Sequence, residues 1–273
     1  MNIKENQLDR LLNIISHLRT HPDGCAWTKE QTHGSLTPYL LEEAYETADI
    51  IDQGKTGPEL CSELGDILLQ VTLHAQIAAE RGDFTFDDVA GAIADKLTRR
   101  YPTIFGDEPN TLKTPEEIDR RWEEIKAAER LAKGARPDAS VLDEISHALP
   151  SLLRAAKLKG RASKAGWEWP DTSRLIGKIA EEVGELQAEI DASTIDRERV
   201  AAELGDLMFM LVDFARWHGI DAEDAMRQTN NRFEKRFRFM EAGLKKAGKD
   251  FKTSSREERL ALWDEAKKSE KIK

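Results

Sequence analysis

The sequence predicts an all-α protein built from two tandem helical bundles. Three observations carry this. Apolar residues recur at helical spacing, and no run alternates as a strand would. One acidic phrase occurs twice, about 139 positions apart. A helix-breaking stretch, Gly134-Ala135-Arg136-Pro137-Asp138, separates the two copies. Repeats at a fixed period define architecture, so the chain divides into 1–133, a linker over 134–140, and 141–273.

Each predicted helix has a local reason. From Ile179 the apolar positions are Ile179, Val183, Leu186 and Ile190; from Leu204 they are Leu204, Leu207, Met208 and Leu211. Each set forms one stripe, expected to face a bundle core. Thr114-Pro115-Glu116-Glu117 is a helix start, with Thr as cap, Pro in the first turn and Glu three residues on. Ser255-Arg256-Glu257-Glu258 offers the same box. The first half predicts helices over 5–20, 37–53, 58–81, 86–100 and 115–132. The second half predicts 141–164, 172–192, 196–218, 221–247 and 255–270.

The 273 residues suffice for two domains, and 40% hydrophobic with 34% charged residues fits a soluble, helix-rich chain. A net charge of −10 argues against sequence-blind nucleic-acid binding, which needs a basic surface. Two cysteines, Cys25 and Cys61, imply no disulfide framework and are expected as core or half-buried thiols. No apolar run has spanning length, and the start is polar, so a cytoplasmic protein without membrane contact is expected.

The duplicated phrase carries the chemistry. The first copy places Glu42, Glu43 and Glu46 before Glu63 and Asp66; the second places Glu181, Glu182 and Glu185 before Glu203 and Asp206. Residues three or four apart share a helix face. Two antiparallel helices would therefore gather these carboxylates at the rim of the core, as bundle metal sites do. The donors are all oxygen, which favours Mg²⁺ or Mn²⁺ over Zn²⁺. One such phrase in a chain with 51 acidic residues is usually a solvated helix face; two at matched spacing point to a metal. Gly65 and Gly205, inside predicted helices, are read as sites of close helix approach or ligand access.

Cations accompany the carboxylates. Arg232 and Arg236 lie one turn apart, as do Trp263 and Lys267, and Lys96, Arg100, Trp122 and Lys126 repeat the pattern in the first half. Arg suits bidentate phosphate contact. Trp263 either covers a base or anchors its helix. Lys178 and Arg199 precede the acidic residues by three or four positions, as salt-bridge partners or phosphate contacts. His33 reads as a capping or core histidine. No Gly-rich phosphate loop, catalytic Ser-His-Asp set or zinc pattern is present.

The paired EExxE…ExxD phrases, the Trp27-Thr28-Lys29-Glu30-Gln31-Thr32-His33 segment, Arg99-Arg100-Tyr101-Pro102 and the tandem arrangement resemble the MazG family of nucleoside triphosphate pyrophosphohydrolases. The resemblance covers nearly the whole chain. It implies two MazG-like domains, a homodimer, and Mg²⁺-dependent hydrolysis of NTPs and dNTPs to monophosphate and pyrophosphate, a nucleotide-pool housekeeping reaction. It maps metal ligation onto Glu182, Glu185, Glu203 and Asp206, and water activation onto Glu181 or another carboxylate of the cluster. Lys178, Arg232, Arg236 and Lys267 would hold phosphates, with Trp263 against the base or ribose; Arg199 joins the substrate-binding candidates on its spacing alone. Among these Lys178, Arg236, Glu181 and Glu182 are the catalytic candidates. Similar proteins often carry Lys where this chain has Arg232. The first half keeps Glu43, Glu46, Glu63 and Asp66 as a second metal set but has Tyr39 where the second has Lys178, so hydrolysis is expected mainly in the second half. Two other classes fit the residues: a non-catalytic nucleotide or metal sensor, and a helical interaction protein whose acidic phrases are solvated faces.

Overall fold

A computed structural model describes residues 6–106, 114–132, 139–143 and 145–270. Every regular element in it is a helix. The chain divides into two compact units, Met1–Gly134 and Ala135–Lys273. The predicted linker over 134–140 falls largely outside the described residues.

In the first unit, α1 (Gln7–Thr20) starts where the Asn6 side chain accepts the Leu8 N–H at 3.2 Å. The short α2 (Ala26–Glu30) leads into α3 (His33–Asp52). Helix α3 begins four residues before the expected start at 37. Its cap is Thr32 paired reciprocally with Ser35, a box without the usual Glu or Gln. Pro38 lies inside the helix. Helix α4 (Pro58–Arg81) opens on Pro58 and ends at Gly82, whose φ of 74° is the left-handed stop that glycine adopts freely. Then come α5 (Phe86–Arg100), capped by Thr85 and Asp88, the short α6 (Pro102–Phe105) and α7 (Pro115–Ala132). The expected Thr114–Glu117 box caps α7, each backbone N–H meeting the other's side chain at 3.2 Å.

Helices α3 and α4 form a long hairpin, with α1 against α4. Their shared core is Ile15, Leu36, Leu73 and Ile77, flanked by Leu11, Leu18 and Leu69. Buried Arg19 binds Glu80 through two nitrogens at 2.8 and 2.9 Å and donates to the Thr28 carbonyl, fastening α2 to α1 and α4.

The second unit contains α8 (Ser151–Lys164), α9 (Thr172–Asp191), α10 (Arg197–Trp217), α11 (Ala222–Lys246) and α12 (Arg256–Glu270). The helix expected over 141–164 starts only at 151. Pro150 occupies the cap position, and Ser140 and Asp143 close a turn upstream. Asp171, Asp196 and Asp221 cap the next three helices through their carboxylates. The Ser255–Glu258 box starts α12 as expected.

Helix α9 packs on α10, α8 on α10 and α11, and α12 on α11. A Cβ at Gly243 would sit 2.6 Å from Leu262, so glycine permits the α11–α12 approach. Gly65 and Gly205 differ: an added Cβ would meet nothing within 4 Å at either, so close packing within the chain does not explain them. Cys61 is exposed rather than buried, and Cys25 is half-buried; both are free thiols.

The apolar stripes are only half used. Val183, Ile190, Leu204, Met208 and Leu211 are exposed on the α9–α10 hairpin, as are Leu41, Tyr45, Leu64 and Leu68 on α3–α4. Two antiparallel helices cover one flank of a stripe wider than their contact, so the expectation that these residues all face a core fails within each unit.

Candidate metal and nucleotide site

The acidic phrases sit in mid-helix on α3 and α9, facing those of α4 and α10 across each hairpin. In the second unit, Glu182, Glu185 and Glu203 each offer a carboxylate oxygen, all within 4.8 Å of one another. In the first unit, Glu43, Glu63 and Asp66 do the same. Each cluster therefore gathers three of the four residues expected to act together. Asp206 is exposed and stands apart from the second set; Glu46 stands apart from the first but lines a cleft with Glu42, Asp49 and Glu63. The register of each hairpin decides which of the flanking carboxylates turns inward.

Crowding shows in the acidities. Burial raises the Glu185 carboxyl above the ordinary carboxylate range, and Glu182 and Glu203 raise it further against the opposing pull of Lys178. Burial likewise raises Glu43, with Asp66 and Glu46 adding to it and a hydrogen bond from Gln70 opposing. Like charges this close resist joint ionisation, and a divalent cation would relieve the conflict. The donors are all hard oxygens, so both clusters fit Mg²⁺ or Mn²⁺.

Lys178 lies directly on the second cluster, with Nζ 2.8 Å from Glu181 and 2.9 Å from Glu182. Hydrogen bonds to those two carboxylates raise its pKa, so it is a fixed positive charge. Glu181 is exposed, and Glu182, at 5% exposure, is the most buried member of the set. In the first unit the matching Tyr39 packs edge-on against Trp27, with ring centroids 5.6 Å apart.

Three other expected phosphate contacts, Arg232, Arg236 and Lys267, lie on the α11–α12 hairpin, whose α11 packs on α10. The Arg236 guanidinium lies over Trp263, 5.4 Å from the ring centroid. Arg232 donates to Thr229 at 2.7 Å, and Lys267 pairs with Asp264 at 2.7 Å. Phe233 and Phe237 stack, and Phe237 stacks in turn on Phe251 at 4.5 Å. With Trp263 they line a cavity of about 400 Å³ rimmed by Arg256 and Arg259. The first unit repeats the pattern, with Arg100 over Trp122 at 5.5 Å and Lys126 at 5.9 Å. Arg199 is directed away from the acidic cluster and pairs with Glu189 instead of Glu203. This ion pair bridges α9 and α10 and leaves Arg199 with a structural partner.

Sequence reading missed a buried polar network beside the hairpin. Asp213, fully buried, accepts from Lys159 at 2.9 Å, Trp169 at 2.7 Å and Arg216 at 2.8 Å. Burial pushes its carboxyl up, but the three donors outweigh this and hold it below the ordinary range. Arg216 also binds Glu168, so the network ties the segment before α9 to α8 and α10. Arg216 lies three positions from Asp213 on α10, but Trp169 and Lys159 are 44 and 54 positions away, and no local spacing announces them. His33 meets His74, with Nδ1 atoms 2.8 Å apart and rings stacked, in keeping with a structural histidine.

Comparison with known proteins places both halves of the chain in one family. The model of the MazG nucleotide pyrophosphohydrolase domain matches twice, at residues 31–105 and 171–238. The chain is 39% identical to a nucleoside triphosphate pyrophosphohydrolase of Escherichia coli strain K12 over 270 residues, covering 97% of this chain and 98% of that one. It is 38% identical over 259 residues to the nucleoside triphosphate pyrophosphohydrolase/pyrophosphatase MazG of Thermotoga maritima, covering 95% of each. It is also 41% identical to the uncharacterized protein YabN of Bacillus subtilis, matching 95% of this chain and 51% of that protein.

Proposed function

Because the chain belongs to the MazG nucleotide pyrophosphohydrolase family, we infer that it is a nucleoside triphosphate pyrophosphohydrolase, converting NTPs and dNTPs to monophosphate and pyrophosphate. The observation that carries this reading is the convergence of Glu182, Glu185 and Glu203 beside Lys178.

These three carboxylates, with Asp206 one turn from Glu203, would hold Mg²⁺ or Mn²⁺ against the triphosphate. A bound ion of this kind neutralises phosphate charge and acidifies a coordinated water. Glu181 is exposed, lies outside the three-residue set and is held by Lys178, so it would orient the attacking water or take its proton. Lys178 would exchange its carboxylate contacts for a phosphate oxygen and stabilise charge on the leaving pyrophosphate. Arg232, Arg236 and Lys267 would bind phosphates, with Trp263 offering its face to the base or ribose. Their place on α11–α12 requires that hairpin to meet substrate held at α9–α10.

The exposed half-stripes on α3–α4 and α9–α10 support a homodimer, since a twin hairpin would cover them. None of the described helices is long and apolar enough to cross a membrane. Free nucleotides as substrates support a cytoplasmic role in keeping the nucleotide pool clean. In the first unit, Tyr39 replaces the cation at the cluster, which favours binding over turnover there.

The test is a product-resolved assay over the common NTPs and dNTPs with Mg²⁺, repeated in EDTA. Monophosphate with pyrophosphate, lost in EDTA, is expected. Diphosphate with inorganic phosphate as first products would overturn the assignment.

A further inference from the structure

The two acidic clusters rest on different cores. In the second unit the residue one turn beyond Asp206 on α10 is Met210, buried, and the residue one turn beyond Glu182 on α9 is Leu186. In the first unit the matching positions are Gln70, one turn beyond Asp66, and Thr47, one turn beyond Glu43. Gln70 is 4% exposed and Thr47 is 7% exposed. The Gln70 Oε1 and the Thr47 Oγ1 are both buried without a hydrogen-bond partner. An orphaned buried polar atom is destabilising, and native chains keep few of them without a use. Gln70 lies one turn from Asp66 on the same helix, and its amide is near enough to Glu43 to oppose the rise in that carboxyl's pKa, so the side chain lies against the cluster.

We propose that Gln70 is a positioning residue of a divalent-cation site in the first unit, where its amide holds Glu43 beside Glu63 and Asp66 and its orphaned oxygen takes a water of the bound ion. The proposal rests on reading the Glu43–Glu63–Asp66 cluster as a cation site. Three carboxylates supply charge, and the amide adds a neutral hard donor of the kind that Mg²⁺ and Mn²⁺ accept, directly or through water. Groups of this sort orient ligands and tune affinity. The second unit, with Met210 at that place, has no equivalent. The two sites of one chain thus differ in affinity, and the first holds its ion with one more polar contact.

The experiment uses the full chain carrying Glu182→Ala and Glu185→Ala, which leaves the first cluster as the intact acidic set. Mn²⁺ binding is followed by electron paramagnetic resonance and by calorimetry, before and after adding Gln70→Met. Thermal midpoints are measured without metal. The expected result is one Mn²⁺ per chain in the parent, weakened about 10-fold or more by Gln70→Met, with an altered bound-Mn²⁺ spectrum. The metal-free midpoint should hold or rise, because methionine removes an unsatisfied buried oxygen. Unchanged Mn²⁺ affinity in Gln70→Met would overturn the role of Gln70 and leave the cation site standing. No Mn²⁺ bound by the parent would overturn the cation site itself, and the proposal with it. A fall in the metal-free midpoint that accompanies the weaker binding would assign Gln70 to folding and also overturn the proposal.

Discussion

The ammonium of Lys178 lies 2.9 Å from a carboxylate oxygen of Glu182, the most buried acid of the second cluster. The two are one helical turn apart on α9, so helix geometry alone sets a fixed positive charge against the deepest negative one. A partner that shares its carboxylates with an incoming cation must turn to something else. The phosphates of a substrate are the group that would meet it.

Lys178→Met should therefore lower kcat by about 100-fold, the scale on which a single stabilising donor acts. Affinity for Mn²⁺ should hold or improve, since a competing cation is gone. Steady-state kinetics with a parallel Mn²⁺ titration test this. A normal kcat would remove Lys178 from the mechanism.

The two units should divide the work unequally. Glu182→Ala with Glu185→Ala should abolish turnover, whereas Glu43→Ala with Glu46→Ala should leave most of it. Tyr39 at the first cluster and Lys178 at the second are the physical difference. Both pairs are assayed on one NTP panel, and the reverse pattern would transfer catalysis to the first unit.

Mg²⁺ should stabilise the protein more as pH rises. Folding raises the carboxyls of Glu43 and Glu185 above their ordinary value of 4.5, so the folded chain holds these protons more tightly than the unfolded one. The metal-free fold consequently loses stability as pH climbs through the raised values, and a cation restores it by replacing the proton. Thermal midpoints with and without Mg²⁺, taken from about pH 5 to about pH 8, should diverge. A constant difference would contradict the placement of the ion on these groups.

Asp213→Ala should cost about 3–5 kcal/mol in urea unfolding, because it leaves Lys159 buried without its partner. The sign with pH is opposite to that of the clusters. Asp213 is held below its ordinary value of 3.8, so its contribution is complete above that value and is lost as pH falls through the lowered one. The variant should accordingly show a shallower acid-unfolding dependence than the parent. Equal stability at neutral pH would show the network to be dispensable.

The chain should self-associate through the exposed stripes. Sedimentation at micromolar concentration should give twice the mass of one chain, and Leu204→Asp with Leu211→Asp should shift it toward one. Full activity in a species of single-chain mass would refute an obligate dimer.

Much of this molecule is readable from local pattern. The all-α class, and most helix limits to within a residue or two, follow from apolar spacing and from caps such as Thr114 and Ser255. These are interactions between residues three or four positions apart, and such spacing is visible in any sequence. The duplicated acids and the one-turn spacings of Arg232 with Arg236 and of Trp263 with Lys267 are legible for the same reason, whereas the stacking of Arg236 on Trp263 is a contact between two helices. The start of helix α3 is not legible because its cap, Thr32 with Ser35, lacks an acidic partner. Tertiary structure alone decided which acids meet. Whether Asp66 or Glu46 joins the first set, and Glu185 or Asp206 the second, depends on how two helices rotate and slide against each other. Spacing within one helix carries no record of that. It also decided that Arg199 faces Glu189, that Asp213 sits under three donors, and that Gln70 lies buried beneath an acidic cluster where Met210 lies beneath the other. Each of these needs packing between segments distant in sequence, and packing is a property of the assembled hairpins.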